Sequence, residues 1–129
     1  MKTNRAFLAC LILASPLLLV MEGRGQDAVT VAPNHYKVLL ETKKVRVLDI
    51  TYKPGEKTPM HTHPNGIAYY ITDAKFRFTL PDGTSIEREG KAGQAVEAPG
   101  GLHAPENIGT ADAHVILVEM KPSAKKMKK

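Results

Sequence analysis

The chain has little of several residue types that carry chemistry or hold small folds together. It contains one cysteine, Cys10, and no tryptophan among its 129 residues, and aromatic residues make up 5%. Because Cys10 lies in an apolar N-terminal run, the chain after that run has no thiol for a disulfide or a thiolate site. The sequence also has no phosphate-binding glycine loop, dinucleotide fingerprint or nucleophile motif. Stability must therefore come from packing, and any chemistry from other side chains.

The first 25 residues have the pattern of a cleaved secretory signal. Lys2 and Arg5 precede an apolar run, residues 6–20, which is followed by small residues up to Gly25. Pro16 interrupts this run, which is shorter than the roughly 20 apolar residues that span a bilayer. We therefore expect export to a periplasmic or secreted location, cleavage after Gly25 and no stable membrane span afterwards. An uncleaved membrane anchor is the alternative.

The net charge of +5 is concentrated at the two ends of the chain. Residues 27–120 contain ten Lys or Arg against twelve Asp or Glu, whereas five lysines fall within residues 121–129. A nearly neutral central region argues against a nucleic-acid-binding face, and we expect the basic tail to be solvated. We divide the chain into a signal (1–25), a leader (26–35), one domain (36–121) and a Lys-rich tail (122–129).

From residue 36 onward, short β-prone runs alternate with turn residues such as Pro54-Gly55, and no window carries a helical apolar stripe. Residues 75–80 alternate between apolar and polar, as expected of a half-buried strand. Many short strands joined by tight turns predict an all-β domain, either a small antiparallel barrel or a jelly roll. The predicted strands cover residues 36–41, 45–53, 60–63, 67–72, 75–80, 84–89, 94–98, 103–107 and 113–120.

Three histidines are the main chemical candidates of this domain. His61 and His63 are separated by one residue, which in an extended segment points both imidazoles to the same side. His103 follows a Pro-Gly-Gly turn 40 residues after His63. Neutral imidazoles bind zinc, iron, copper or nickel, and three of them leave coordination positions open for water or substrate. His-x-His pairs also arise by chance on exposed strands, and we interpret His35 and His114 as surface or structural residues.

Two segments resemble the motifs of the cupin superfamily. Residues 55–64, GEKTPMHTHP, are similar to the first cupin motif, in which five residues separate a glycine from a His-x-His pair. Residues 93–107 are similar to the second motif, with Pro99, His103 and Asn107 as its matching residues, although the interval from Pro99 to His103 is one residue shorter than in the common form. The resemblance covers residues 36–121 and implies a small single-domain cupin whose metal ligands are His61, His63 and His103.

The glutamate of the first cupin motif is absent from this chain. Its position falls on Ile67, or on Ala68 with a longer spacing, and neither side chain binds a metal. The chain therefore looks like the three-histidine centres of the cupin thiol and diketone dioxygenases. That resemblance implies a divalent transition metal, with iron favoured over nickel, copper, zinc or manganese. A metal bound by three neutral ligands would keep a charge of about +2 and favour an anionic or chelating substrate.

Four further residues are candidates for the surroundings of the site. Glu97 and Glu106 would accept a hydrogen bond from a ligand imidazole or act as a base, unless they face solvent. Ile67 and Tyr69 share one strand face and are predicted to line the pocket.

The sequence leaves three functions open. The first is a metal-dependent dioxygenase acting on a small chelating substrate, and the second is a non-catalytic module that binds a sugar-like small molecule without metal. The third is a metal-binding structural or stress protein. The expected partners are a small-molecule ligand and a second copy of the chain, because joining open sheet edges in a homodimer would cover them.

Overall fold

The computed structural model of the protein describes residues 25–123, so the predicted signal and most of the Lys-rich tail lie outside the described residues. Within this range, one short helix precedes nine strands, and the prediction of an all-β domain is confirmed. None of the described helices is long and apolar enough to span a membrane. The elements are α1 (Ala28–Val31), β1 (Tyr36–Glu41), β2 (Val45–Tyr52), β3 (His61–His63), β4 (Gly66–Tyr70), β5 (Ala74–Thr79), β6 (Ser85–Gly90), β7 (Ala95–Ala98), β8 (Gly101–Asn107) and β9 (Ala113–Met120).

The strands form two antiparallel sheets. Five strands pair in the order β1-β2-β9-β4-β7, and four pair in the order β3-β8-β5-β6. The inner faces of the two sheets enclose the hydrophobic core. Strands β2 and β9 contribute four buried aliphatic side chains to this core, which also contains three buried aromatic side chains. This is the two-layer arrangement of a small jelly roll. The named core residues are Leu48, Ile50, Val115, Leu117, Tyr52, Tyr70 and Phe76.

Strand β9 is central, because it pairs with β2 on one side and β4 on the other. Its burial alternates with the period of two that a strand requires, and Ala113, Val115, Leu117 and Glu119 are the buried members. Glu119 therefore continues an apolar row on the core face and is 1% exposed. A buried carboxylate in such a row needs polar partners.

The leader contains a helical turn for which the sequence predicts no element. Asp27 caps α1, and its side chain accepts a hydrogen bond of 3.0 Å from the Val29 backbone N–H. Ala28 is fully buried, and α1 contacts both β1 and β3. Valine and threonine have low helix propensity, so a turn this short is stabilised by its cap and its packing rather than by its composition.

The two motif segments are held against each other at one end of the sheets. Strand β3 pairs with β8, and His61 lies directly opposite His103. The Gly100 N–H donates a 2.6 Å hydrogen bond to the Asn65 side-chain oxygen. A Cβ at Gly100 would lie 2.8 Å from the carbonyl oxygen of His63, so only glycine permits this approach. The approach places the second motif beside the first.

Candidate metal centre

Three histidine side chains meet on the inner side of the four-stranded sheet. The ring centroids are 5.0 Å apart for His61 and His63, 5.1 Å for His61 and His103, and 5.4 Å for His63 and His103. Each ring offers one nitrogen, and these nitrogens lie within 4.8 Å of one another. His61 and His63 are buried and His103 is partly buried. The three histidines are therefore positioned to hold a metal ion.

His61 is fixed from both sides of its ring. Its Nδ1 lies 2.8 Å from the Pro59 carbonyl oxygen, which can only accept, so Nδ1 carries the proton. The lone pair of Nε2 accepts a 3.0 Å hydrogen bond from the Tyr36 hydroxyl. Tyr36 in turn lies 2.7 Å from the Tyr52 hydroxyl, which lies 2.8 Å from the Thr58 hydroxyl. A buried chain of three hydroxyls thus ends on a candidate metal-binding nitrogen.

His63 is held by a second polar chain, which consists of Glu119, Arg46 and Asp27. The His63 Nδ1 donates a 2.5 Å hydrogen bond to one oxygen of Glu119, and Arg46 Nε donates a 2.6 Å bond to the other. Arg46 also donates a 2.5 Å bond to Asp27, the cap of α1. A carboxylate on Nδ1 fixes the ring orientation of a metal-binding histidine and leaves Nε2 free for the metal. We call Glu119, Arg46 and Asp27 the carboxylate–arginine chain.

The carboxylate–arginine chain is charged. Burial opposes ionisation of Glu119, but the hydrogen bonds from His63 and Arg46 outweigh it and lower the pKa of Glu119 below its ordinary value. The hydrogen bond to Glu119 raises the pKa of Arg46 above its ordinary value. The arginine thus neutralises a carboxylate that would otherwise be an uncompensated buried charge.

Two of the three histidine rings, those of His61 and His103, are in the neutral form that binds metals. Burial lowers the pKa of His61 to about 4, and burial together with repulsion from the two neighbouring imidazoles lowers the pKa of His103 to about 3. Both rings are therefore neutral at pH 7. Neutral nitrogen donors fit a divalent transition metal better than magnesium or calcium, which prefer oxygen ligands.

The structure corrects the predicted positions of Ile67 and Tyr69. Both side chains are 42% exposed on the outer face of β4. Ala68 and Tyr70 face inward instead, and they line a cavity of about 100 Å³ together with His63 and His103. The pairing of β4 with β9 is responsible, because it sets Gly66 opposite Glu119 and so directs the even-numbered residues of β4 inward. Of the two positions considered for the motif glutamate, Ala68 is the one that faces the histidines.

Glu97 and Glu106 differ in their position relative to the histidines. Glu97 is exposed on the edge strand β7, opposite Ile67. Glu106 stands between two buried residues of β8 and points to the outer face, where its carboxylate is 3.8 Å from Arg77. Neither makes a hydrogen bond to a histidine within the part of the chain that the structure describes. The predicted role of Glu106 is therefore wrong, whereas that of Glu97 stays a prediction, because Glu97 borders a cleft that His103 also lines.

The carboxylate that reaches the site is Glu119, which the sequence motifs do not indicate. Its signal is its position as the one charged residue in the inward row of a strand that is apolar on both faces. His114 and His35 stay outside the cluster, as expected of surface or structural histidines. They lie 2.5 Å and 3.2 Å from the carboxylates of Asp49 and Glu56.

A two-sheet antiparallel barrel with three convergent histidines on its inner side defines a class of barrel proteins suited to metal binding. Comparison with known protein families identifies the family within this class. The family model described as "Cupin domain" matches residues 48–119, more than half of the chain, and the protein belongs to this family. The predicted resemblance to cupins is thereby confirmed.

Solved structures share the fold. A cupin domain from Bordetella pertussis Tohama I is 21% identical with a TM-score of 0.61, and the match covers 67% of this chain and 92% of that one. An uncharacterised protein with a double-stranded β-helix domain from Klebsiella pneumoniae is 25% identical with a TM-score of 0.54, covering 69% and 77%. An RmlC-like cupin family protein from Methanocaldococcus jannaschii is 22% identical with a TM-score of 0.52, covering 66% and 77%. No curated protein matches the chain.

Proposed function

We propose that this small cupin binds one divalent transition-metal ion through His61, His63 and His103. The observation that carries the proposal is the convergence of three imidazole nitrogens within 4.8 Å of one another. Two further features support it, namely the neutral state of His61 and His103 and the carboxylate that orients His63. Iron is the favoured metal, and nickel, copper, zinc and manganese are the alternatives.

The reaction class that we propose is dioxygenation of a small chelating substrate. A bound iron would supply Lewis-acid and redox chemistry at this position. The chain itself would supply three neutral ligands, with Ala68 where many cupins have a glutamate, and an apolar wall that includes Phe76 and Phe78. Because no carboxylate would be among the metal ligands, an anionic chelating substrate would be attracted.

The contact between Tyr36 and His61 favours a second candidate function. The Tyr36 hydroxyl occupies the lone pair of His61 Nε2, the atom that a metal would take. With that bond kept, the same cavity would serve as a non-catalytic module that binds a small sugar-like molecule without metal. The two candidates differ in whether this hydrogen bond yields to a metal.

Metal binding to the purified protein tests the first candidate against the second. After chelator treatment, we expect Fe²⁺, Ni²⁺ or Zn²⁺ to bind at about one per chain, as measured by elemental analysis under anaerobic conditions. His103→Ala should weaken binding at least tenfold, whereas His114→Ala, on the outer face of β9, should leave it unchanged. Oxygen uptake by the iron form with acetylacetone or cysteine tests the reaction class. A chain that binds none of these metals and is no less stable without them would establish the metal-free module.

We also propose that the chain is exported and forms a homodimer. The signal pattern of residues 1–25 supports export, and sequencing the N-terminus of the mature protein tests it, with Gln26 expected first. The open edge strand β1 supports the dimer, since Val38, Leu39 and Leu40 are between 38% and 53% exposed on it. Sedimentation should give a dimer, which Leu40→Lys should dissociate.

A further inference from the structure

A wide cleft opens between the β7 edge of the five-stranded sheet and the four-stranded sheet. Its volume is about 370 Å³, and His103 is among the residues that line it. It shares Ala68, Tyr70, Phe78, Ala98 and His103 with the smaller cavity beside the histidines, so the two spaces are adjacent. The rest of its wall is mainly apolar. Leu80, Ile86, Val96 and Leu102 contribute to that wall.

Arg88 brings a positive charge to this apolar cleft. In the pairing of β6 with β5, Arg88 lies opposite Phe76, which is buried on the inner face, so the arginine stands on the cleft side. Glu87 and Glu89 form salt bridges with Lys75 on the outer face, and Glu89 also borders the cleft. Arg88 is thus the one inward cation of the hairpin.

Arg88 also lacks an anionic partner in the structure. Among residues 25–123, none of the salt bridges that carboxylates form involves Arg88. The Arg88 guanidinium donates a 3.1 Å hydrogen bond to the Glu87 carbonyl oxygen instead. Glu97 borders the cleft from β7, where it lies opposite the outward-facing Ile67. Burial raises the pKa of Tyr70 while the charge of Arg88 opposes the rise, which is consistent with the arginine lying near a residue that lines both cavities.

We propose that the cleft binds a small organic acid, with its carboxylate on Arg88 and its apolar body between the two sheets. An arginine fork is suited to a carboxylate, and the apolar wall is suited to a hydrocarbon or aromatic body. Strand β6 lies two strand spacings from β8, or about 10 Å, and Arg88 is level with Asn107, four residues or about 13 Å along β8 from His103. A ligand that reaches from Arg88 toward His103 is therefore several carbon atoms long. This inference names the substrate class of the proposed metal centre. Only the placement of one end of the ligand at His103 rests on the proposed function.

Octanoate and its neutral analogue octanamide are suitable probes, and ¹⁵N NMR of the purified protein, metal-free and zinc-loaded, is the measurement. We expect octanoate to shift amide signals in residues 86–88 and 96–103 in both forms. It should bind about tenfold more tightly than octanamide, because the charge-assisted bond to Arg88 is absent for the amide. Arg88→Gln should remove the difference between the two probes. Arg77→Gln, which removes an arginine from the outer face of the neighbouring strand, should keep it.

The metal-free arm separates the two proposals. Octanoate binding that depends on Arg88 in a protein that takes up no metal would support the cleft and overturn the metal centre. A protein that binds metal but binds octanoate and octanamide equally, or binds octanoate unchanged in Arg88→Gln, would overturn the cleft alone. Signal changes confined to residues outside the cleft would overturn it too.

Discussion

The surroundings of His63 and His103 differ, although both histidines belong to the same cluster. His63 donates to a buried carboxylate that is itself held by Arg46, so its ring orientation is fixed through three elements of the fold. The ring of His103 packs against Phe78 at a centroid distance of 5.0 Å and, within residues 25–123, makes no side-chain hydrogen bond. One side of the site is closed and fully bonded, and the other faces an open apolar cleft.

This difference separates two tasks that a binding site has to perform. The closed side positions a ligand nitrogen, because a buried charge network tolerates only one arrangement of its members. The open side leaves room for a molecule, because its walls carry few hydrogen-bonding groups that the molecule would have to displace. The following predictions test whether the two sides behave so differently.

Removing the carboxylate of the closed side should have the largest effect. Glu119→Ala would leave the Arg46 charge and the His63 N–H without their partner in a site where Glu119 is 1% exposed. Because an uncompensated buried charge is costly, we expect the free energy of unfolding to fall by about 3–5 kcal/mol in urea denaturation. Glu119→Gln keeps the shape and one acceptor oxygen and should lose less. Equal and small losses of unfolding free energy in both variants would mean that the carboxylate–arginine chain does not stabilise the fold.

Acid should destabilise the metal-free protein through the histidines. The folded pKa of His61 is about 4, below the unfolded value of about 6.5. Between these two pH values the unfolded chain binds a proton that the folded chain does not, so the free energy of unfolding should fall as the pH falls from about 6.5 to about 4. For the fully buried His61 the loss is roughly 2–3 kcal/mol.

Unfolding by urea at a series of pH values measures this loss. His61→Gln should flatten the dependence of stability on pH, while His114→Gln on the outer face should retain the slope. A slope that is unchanged in His61→Gln would assign the acid sensitivity to other groups.

Adding a carboxylate next to the three histidines should affect metal affinity differently on the two faces of β4. Ala68→Glu would place an oxygen ligand on the cavity side, and we expect the affinity for Fe²⁺ or Zn²⁺ to rise about tenfold. Ile67→Glu, one residue away on the outer face, is the matched control and should leave the affinity unchanged. Competition with a chelator of known affinity measures both. A gain from Ile67→Glu instead would contradict the observed register.

The strands and the His61–His63 pair are predictable from the sequence because their signals are local, whereas His103 is joined to the pair by the resemblance to the second cupin motif. A period of two, turn pairs such as Pro54-Gly55 and the spacing of His61 and His63 each fall within a few residues of chain. The bounds of β1 and β9 agree with the prediction, and the other strands differ from it by a few residues at their ends. Local pattern suffices there because each strand carries its own alternation.

The features that sequence reasoning misses depend on pairing across the chain. The face that Ile67 presents is decided by the register with β9, about fifty residues away. The bond between Arg46 and Glu119 joins residues that are 73 positions apart. No spacing rule connects such residues, since only the closed sheet brings β2 and β9 side by side.

Tyr36→Phe should have the smallest effect, and it decides between the two candidate functions. The variant removes the O–H that holds the lone pair of His61 Nε2 and leaves the aromatic ring in place. If a metal competes with this hydrogen bond, its loss should raise metal affinity about fivefold, since a neutral hydrogen bond contributes roughly 1 kcal/mol. Tyr52→Phe removes a hydroxyl one step further along the same chain and should change affinity less. Calorimetric titration with Zn²⁺ distinguishes the two variants, and equal affinity in Tyr36→Phe and the parent chain would mean that the metal does not displace this bond. The chain of hydroxyls would then stabilise the cavity and would not compete with a metal for His61 Nε2.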